Sequence, residues 1–316
     1  MGRALYKPRA RPHGVMFHHF RDDRHPPGQG AISAEELADL IEYVGPDRLL
    51  PAREWLSRAS SGRLEPRDLC LTFDDGLLCQ YDVALPVLRS FGLTAFWFVY
   101  SSVFQGGLEV LEIYRYFRTV AFANVSAFYQ RFRVASAGLY PGEIAARLST
   151  FSPSEYLGNF PFYSDEDRTF RFLRDEVLGP ERYNRVMELI IADSGFVAET
   201  LRGKLWLDDH HLRRLQAEGH IVGLHSFTHP TRLENLPARV QREEYHRNAE
   251  HLASVLGVRP TTMSHPCNSY RSDTLAILRD LGITIGFCSN MGEVPGAGML
   301  EIPRQDHANI IASMRS

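Results

Sequence analysis

Residues 69–76 read Leu-Cys-Leu-Thr-Phe-Asp-Asp-Gly and are the most informative stretch of this chain. A short apolar run that ends in two adjacent carboxylates is typical of a buried strand with polar side chains at its C-terminal tip. Far downstream, Gly-Leu-His-Ser-Phe-Thr-His-Pro occupies residues 223–230. One aspartate and two histidines four residues apart are the ligand set of a catalytic zinc or similar divalent ion, with a position left for water. The second aspartate would then be a free base, which indicates metal-assisted hydrolysis.

Composition excludes several classes of protein. The chain has 316 residues and a formal net charge of -3, so no global basic field points to nucleic acid. The N-terminal segment lacks the apolar stretch of a secretory signal, and no apolar run is long enough to cross a membrane. The four cysteines show no Cys-x-x-Cys spacing and are expected to be reduced thiols. We therefore expect a cytoplasmic protein with no nucleic-acid partner and no membrane insertion.

Strand and helix patterns alternate along most of the chain. Ser33 and Glu36 have capping-box spacing, which predicts a helix over about 34–43. Further helices are predicted at about 80–90, 208–217, 237–256 and 272–281. Short apolar runs predict strands at Gly14–Phe17, Leu69–Phe73, Thr94–Tyr100, Ile221–Leu224, Thr261–Ser264 and Thr284–Cys288. This alternation favours a parallel α/β sheet or barrel.

The alternation is interrupted between residues 101 and 205. Aromatic and charged residues recur there at helical spacing, and a connection of this length is too long for a βα loop. We predict an inserted helical subdomain over 101–205, acting either as a cap over the active site or as a surface for homo-oligomerisation. The barrel would comprise residues 14–100 and 206–316. Residues 1–13, basic and interrupted by prolines, would form a flexible arm.

The two motifs together, Thr72-Phe73-Asp74-Asp75-Gly76 and His225-Ser226-x-x-His229-Pro230, resemble the polysaccharide deacetylase superfamily. Its members are metal-dependent carbohydrate esterases, among them chitin, peptidoglycan and poly-N-acetylglucosamine deacetylases. The resemblance covers about residues 14–100 and 206–310. It implies a distorted, incomplete (β/α) barrel of the seven-stranded type, with the active site at the C-terminal ends of the strands.

The resemblance also implies roles for individual residues. Asp75, His225 and His229 would be metal ligands, and Asp74 would be the general base that accepts a proton from the activated water. A carboxylate close to a dication is stabilised in its charged form, so Asp74 should stay ionised. Two histidines, one aspartate and an open position fit Zn²⁺ best, although Co²⁺, Ni²⁺ or Fe²⁺ are chemically acceptable.

A third segment, Ser264-His265-Pro266-Cys267-Asn268, matches the superfamily only in part. Ser264 stands where many members carry an arginine that pairs with the catalytic aspartate. Arg304, expected to follow the final strand, is the candidate replacement that could reach Asp74. The alternative is that Arg304 forms a structural ion pair.

The general acid that protonates the leaving amine has two candidates. His18, in Val-Met-Phe-His-His-Phe at residues 15–20, resembles the N-terminal histidine that serves in members with a rearranged strand order. His307 is the competitor, because many other members place this histidine late in the chain. Asp306 could orient whichever imidazole is used. The third possibility is that neither histidine acts.

The sequence thus predicts a metal-dependent hydrolase that removes an N-acyl group, with acetyl as the expected group, from an amino sugar. Its expected substrate is a small saccharide or sugar-containing precursor. One alternative is hydrolysis of another C–N bond, in an N-formyl group or a cyclic amide. A second is a catalytically inactive saccharide-binding protein, which the serine at position 264 would permit.

Overall fold

The computed structural model describes residue 6 and residues 11–157, 163–292, 294 and 296–315. It divides into two compact units. The barrel unit comprises Met1–Glu109 and Arg202–Ser316, and the helical unit is Val110–Leu201. The helical unit begins later and ends earlier than the 101–205 insertion expected from the sequence, because residues 101–109 and 202–205 belong to the barrel unit.

Seven parallel strands form the barrel unit's sheet, in the order β6-β5-β4-β3-β2-β1-β7. A parallel bridge between Phe287 and Ile302 brings the chain that precedes β7 against β6. The result is a distorted, nearly closed barrel, as predicted. The strands are β1 His13–Phe17, β2 Leu69–Phe73, β3 Phe96–Val99, β4 Ile221–Leu224, β5 Thr262–Ser264, β6 Ile285–Phe287 and β7 Arg304–Asp306.

Helices connect the strands, and the chemistry of their ends accounts for their boundaries. The hydroxyl of Ser33 accepts from the backbone N–H of Glu36, whose carboxylate accepts from the N–H of Ser33, so the predicted capping box is confirmed. A π-helical turn at Gln80–Ala84 leads into the helix Leu85–Ser90. The helices are α1 Ala34–Val44, α2 Ala52–Ser60, α3 Leu85–Ser90, α4 Val110–Val120, α5 Val125–Leu139, α6 Pro141–Ser149, α7 Asp165–Phe172, α8 Gly179–Ser194, α9 Asp209–Ala217, α10 Ala238–Leu256, α11 Ser272–Asp280 and α12 His307–Arg315.

Large side chains fill the barrel. They hold in place the strands whose C-terminal ends carry the polar residues. The rings of Phe73 and Trp97 stack with centroids 4.6 Å apart, and Phe17 stacks on Phe73 at 5.3 Å. His220 Nδ1 accepts hydrogen bonds from the N–H of Ala95 and from Trp97 Nε1. Burial lowers the pKa of His220 to about 4. It is a neutral structural histidine.

The last strand differs from the sequence prediction. Arg304 does not follow the final strand but begins β7, where it lies opposite Gly14 of β1. The pattern gave no signal for this strand because Arg-Gln-Asp has no apolar residue. At the N-terminus, the N–H of Tyr6 donates to Tyr43 O and Arg11 donates to Gly292 O, so these two residues of the expected flexible arm are held.

The helical unit packs around aromatic rings from α4, α5, α7 and α8. Phe170 contacts the rings of Phe128 at 5.5 Å, Phe132 at 4.9 Å and Tyr183 at 6.2 Å. Rings of this size bury large apolar areas and favour edge-to-face contacts. This aromatic core explains why the helical spacing in the sequence was strong.

Candidate metal centre

The turn after β2 presents both carboxylates at the C-terminal end of the barrel. The N–H of Asp74 donates to Phe17 O, which continues the pairing of β1 with β2. Asp75 and Gly76 then take positive φ values of 77° and 61°. A Cβ on Gly76 would lie 3.0 Å from Val99 Cγ1, so the glycine is required by both conformation and space.

The two histidines are placed by a strained loop after β4. The N–H of His225 donates to Asn248 Oδ1 at 3.0 Å, and the N–H of His229 donates to Ser226 Oγ at 3.1 Å. Ser226 and His229 have φ values of 63° and 59°. Such conformations cost free energy in a non-glycine residue and are retained at sites where function requires a particular geometry.

The three residues predicted as metal ligands converge. Asp75 Oδ1 lies 3.4 Å from His225 Nε2 and 3.5 Å from His229 Nε2. One potential ligand atom from each residue lies within 4.8 Å of the other two. Asp75 and His225 are buried, and His229 is half-buried. Residues 150 positions apart in the sequence therefore form one compact donor set.

The donor atoms fit a cation. His225 Nδ1 lies 3.0 Å from Ser264 O, and a carbonyl oxygen can only accept, so Nδ1 carries a proton and Nε2 is the ring nitrogen left for an ion. Nε2 faces Asp75 Oδ1, a buried oxygen with no hydrogen bond within the described part of the chain. Burial alone would raise the pKa of Asp75, but the adjacent imidazoles of His225 and His229 outweigh it and hold the pKa well below its usual range. A buried carboxylate oxygen close to two imidazole Nε2 atoms is a donor set that a divalent ion can bind.

Arg304 is paired with the remaining aspartate. Its Nη1 and Nη2 donate to Asp74 Oδ1 and Oδ2, each at 2.7 Å, and its Nε donates to Cys288 O at 2.6 Å. Neither Arg304 nor Asp74 is more than 2% exposed. Burial raises the pKa of Asp74, but the Arg304 guanidinium and His225 outweigh it, so the pKa is lowered and the carboxylate stays ionised.

Gly14 of β1, which has no side chain, leaves the space that the Asp74–Arg304 pair needs. A Cβ on Gly14 would lie 3.0 Å from Arg304 Cγ and 3.1 Å from Thr72 Cγ2. The stem of Arg304 therefore crosses β1 at a glycine before it reaches Asp74. The sequence contains this signal, but it is readable only once the register of Gly14 with Arg304 is known.

The two candidates for the general acid are placed differently. His18 Nε2 lies 3.8 Å from Asp74 Oδ2, and His18 lines a cavity of about 310 Å³ together with Asp74, Asp75, His225 and His229. His307 is buried, with Nδ1 3.2 Å from Met16 O and Nε2 3.1 Å from Gly30 O. Burial lowers the pKa of His307. In the structure His18 lines the cavity, whereas both ring nitrogens of His307 lie against backbone carbonyl oxygens.

Sequence reasoning assigned no role to His265, which lines the same cavity. Its Nε2 donates to Leu300 O at 2.8 Å, and burial lowers its pKa to about 4. Cys267 and Asn268, which follow it, have φ values of 49° and 57°. The position of His265 directly after β5 was the available signal, since strand ends supply the polar residues of this cavity.

Comparison with known proteins supports the resemblance to polysaccharide deacetylases. A family model described as polysaccharide deacetylase matches residues 193–286, a segment that contains His225 and His229 but neither aspartate. The match and the fold confirm the resemblance to the polysaccharide deacetylase superfamily that was found in the sequence. No curated protein matches the chain. The family match supports a hydrolase of the carbohydrate deacetylase class.

Several solved structures share the fold. The Streptococcus pyogenes deacetylase PplD, solved in complex with acetate, aligns with a TM-score of 0.56 and 15% identity over 98% of this chain and 99% of its own. IcaB from Ammonifex degensii aligns with a TM-score of 0.54 and 16% identity over 98% and 97%. The BpsB deacetylase domain from Bordetella bronchiseptica gives 0.52 and 16% over 93% and 94%. Among the described residues, no helix is both long and apolar enough to span a bilayer.

Proposed function

We propose that the protein is a metal-dependent hydrolase that removes an N-acyl group, with acetyl as the expected group, from an amino sugar. The observation that carries this proposal is the convergence of Asp75, His225 and His229 beside a buried Asp74–Arg304 pair. Three ligands with a free carboxylate next to them are what hydrolysis by an activated water requires.

Asp75, His225 and His229 would hold the ion. Zn²⁺ fits this mixed nitrogen and oxygen donor set best, and Co²⁺, Ni²⁺ or Fe²⁺ would also be accepted. When bound, such an ion supplies a water of lowered pKa and polarises the acyl carbonyl. Asn248 and Ser226 hold the backbone N–H groups of the two histidines, so the donor set is positioned before the ion arrives.

Asp74 would accept the proton from the attacking water. Its ionised form is favoured because Arg304 donates to both of its oxygens. Arg304 itself has no access to solvent, so its role would be to orient and charge-balance Asp74. This pairing supports catalysis over the inactive saccharide-binding alternative, since it supplies the cation missing at position 264.

His18 would donate the proton to the leaving amine. It lines the cavity, its side chain is 32% exposed, and it lies across from the base, 3.8 Å from Asp74 Oδ2. A proton donor must reach both substrate and solvent over a catalytic cycle. His307 meets neither need, because its ring nitrogens face Met16 O and Gly30 O.

A small amino sugar or sugar-containing precursor is the proposed substrate. The cytoplasmic location, the cap role of the helical unit and homo-oligomerisation through it stay predictions from the sequence.

The proposal is tested with protein stripped of metal and reloaded with Zn²⁺. Acetate release is measured on N-acetylglucosamine and its short oligosaccharides, beside N-formyl amino sugars and a cyclic amide. We expect acetate release that requires the ion. Turnover of only the formyl or cyclic substrates would show a different C–N bond specificity. Tight saccharide binding without any turnover would show a binding protein.

A further inference from the structure

Ser264, the residue that departs from the superfamily pattern, lies between the base and an ion ligand. It ends β5 and is fully buried. Its hydroxyl oxygen lies 3.1 Å from Asp74 Oδ1 and 2.7 Å from His225 Nδ1. Its own carbonyl oxygen lies 3.0 Å from the same imidazole nitrogen. One short side chain therefore contacts two functional residues that come from different strand ends.

The direction of each hydrogen bond is determined by chemistry. Asp74 is ionised beside Arg304 and can only accept, so the single hydroxyl proton of Ser264 points at Asp74 Oδ1. The hydroxyl oxygen is then left to accept from His225 Nδ1–H. Ser264 O also accepts from Nδ1–H, which removes the alternative tautomer. The chain of donors runs from His225 through Ser264 to Asp74.

We propose that Ser264 is a positioning residue that locks the ion ligand His225 and the proton acceptor Asp74 to each other through one hydroxyl. The inference rests on the function proposed above. Because Nδ1–H is held by both oxygens of Ser264, Nε2 is kept as a lone-pair donor and made more basic by the nearby carboxylate. Because the same hydroxyl donates to Oδ1, which also accepts from Arg304, the Asp74 carboxylate is held in one orientation by side chains from both β5 and β7.

This assignment gives the departure from the superfamily a function. Arg304, from β7, occupies both oxygens of Asp74 with two parallel N–H groups. An arginine at position 264 would compete for the same carboxylate. A serine there instead adds a third hydrogen bond to Asp74 and extends the connection to His225. The hydrogen bonds that hold Asp74 thus come from two strands, from Ser264 on β5 and from Arg304 on β7.

The test compares Ser264→Ala with the parent protein and with Thr262→Val. Thr262 lies on the same strand and is buried, but its hydroxyl has no hydrogen bond within the described part of the chain, so it is the matched control. Zinc affinity is measured by competition with a chromophoric chelator, and kcat and KM by acetate release. Loss of an outer partner of a metal ligand costs about 10–100-fold. We expect losses of this size in zinc affinity and in kcat for Ser264→Ala, little change in KM, and parent values for Thr262→Val.

Ser264→Thr keeps the hydroxyl and should restore both quantities. Parent-like zinc affinity and kcat in Ser264→Ala would overturn the inference, and so would equal losses in Ser264→Ala and Ser264→Thr. If Ser264→Ala does not fold, Ser264→Thr decides alone: retained zinc affinity supports the role, and lost affinity contradicts it. Asp75→Asn is run alongside, because zinc binding by that variant would refute the proposed metal site itself, whereas parent-like Ser264→Ala would refute only this inference.

Discussion

The barrel unit and the helical unit use different residue types. All 13 histidines, four cysteines and three tryptophans of the chain lie in the barrel unit, whereas Val110–Leu201 packs around phenylalanine and tyrosine rings. The helical unit therefore contains no imidazole that could bind a metal or transfer a proton near neutral pH. The chemistry of the proposed reaction belongs to the barrel unit.

Two arginines, one buried and one half-buried, show the same contrast. Arg304 in the barrel unit donates from all three of its nitrogen atoms, and its partner Asp74 is as buried as it is. Arg171 in the helical unit lies over the ring of Tyr163 at 4.0 Å, and its Nε makes no hydrogen bond within the described residues. Burial lowers the pKa of Arg171. A directed ion pair tolerates little change, whereas stacking on a ring is replaceable by another long side chain.

The largest effect is expected when Arg304 is replaced. Arg304→Met leaves the Asp74 carboxylate buried without its cation, and breaking such a pair costs about 3–5 kcal/mol in the free energy of unfolding. The pKa of Asp74 should rise, and kcat should fall by about 100-fold or more because a general base contributes at least that much. Chemical denaturation and acetate release measure both quantities.

Arg171→Met is the matched control for that variant. A stacked cation contributes about 0.5–1 kcal/mol, so its loss should be small and kcat should not change. Equal losses of stability in the two variants would show that the two arginines are not held differently. The comparison of the units would then be wrong.

A smaller, pH-dependent effect is expected at His220, which is buried in the barrel unit. Its pKa is about 4 in the folded protein and about 6.5 in an unfolded chain, so folding favours the neutral ring. The contribution is fully present above pH 6.5 and is lost as the pH falls towards 4, by about 3 kcal/mol at most. Unfolding of the parent and of His220→Gln, which keeps an acceptor but does not titrate, is compared from pH 4 to 7. A stability difference that does not vary with pH would contradict this assignment.

The smallest of these effects is expected from adding one methyl group. Gly14→Ala places a Cβ 3.0 Å from Arg304 Cγ and should displace the Asp74–Arg304 pair. Overpacking of this kind costs about 1–3 kcal/mol, and kcat should fall while zinc affinity is largely kept. Gly138→Ala in α5 is the control, since its Cβ would have nothing within 4 Å and alanine favours a helix. Parent-like kcat in Gly14→Ala would show that Arg304 does not need the space at Gly14.

Much of the fold was readable from the sequence because local patterns agreed with the global structure. The predicted strand Ile221–Leu224 has the bounds found in the structure, and Ser33 caps α1 as expected. Strand β7 was missed because its residues are polar, and their burial depends on partners that are distant in the chain. Arg304 is buried only because Gly14, Cys288 and Asp74 surround it.

The sequence predicted which residues form the candidate site, but it did not predict the hydrogen bonds between them. Two motifs gave Asp74, Asp75, His225 and His229, because strand tips on one side of a parallel sheet come together. The contacts of Ser264 with Asp74 and His225 could not be read, since they depend on the side-chain directions of three separate strand ends.

Zinc content and acetate release, measured together on the parent, Asp75→Asn and Asp74→Asn, decide whether Asp75, His225 and His229 bind an ion that catalysis requires. Asp75→Asn should lose both the ion and turnover. Asp74→Asn should keep the ion and lose kcat by about 10²–10⁴-fold, because only the proton acceptor is removed. Full zinc binding by Asp75→Asn would contradict the proposed metal site, and undiminished turnover by metal-stripped parent protein would contradict metal-dependent catalysis.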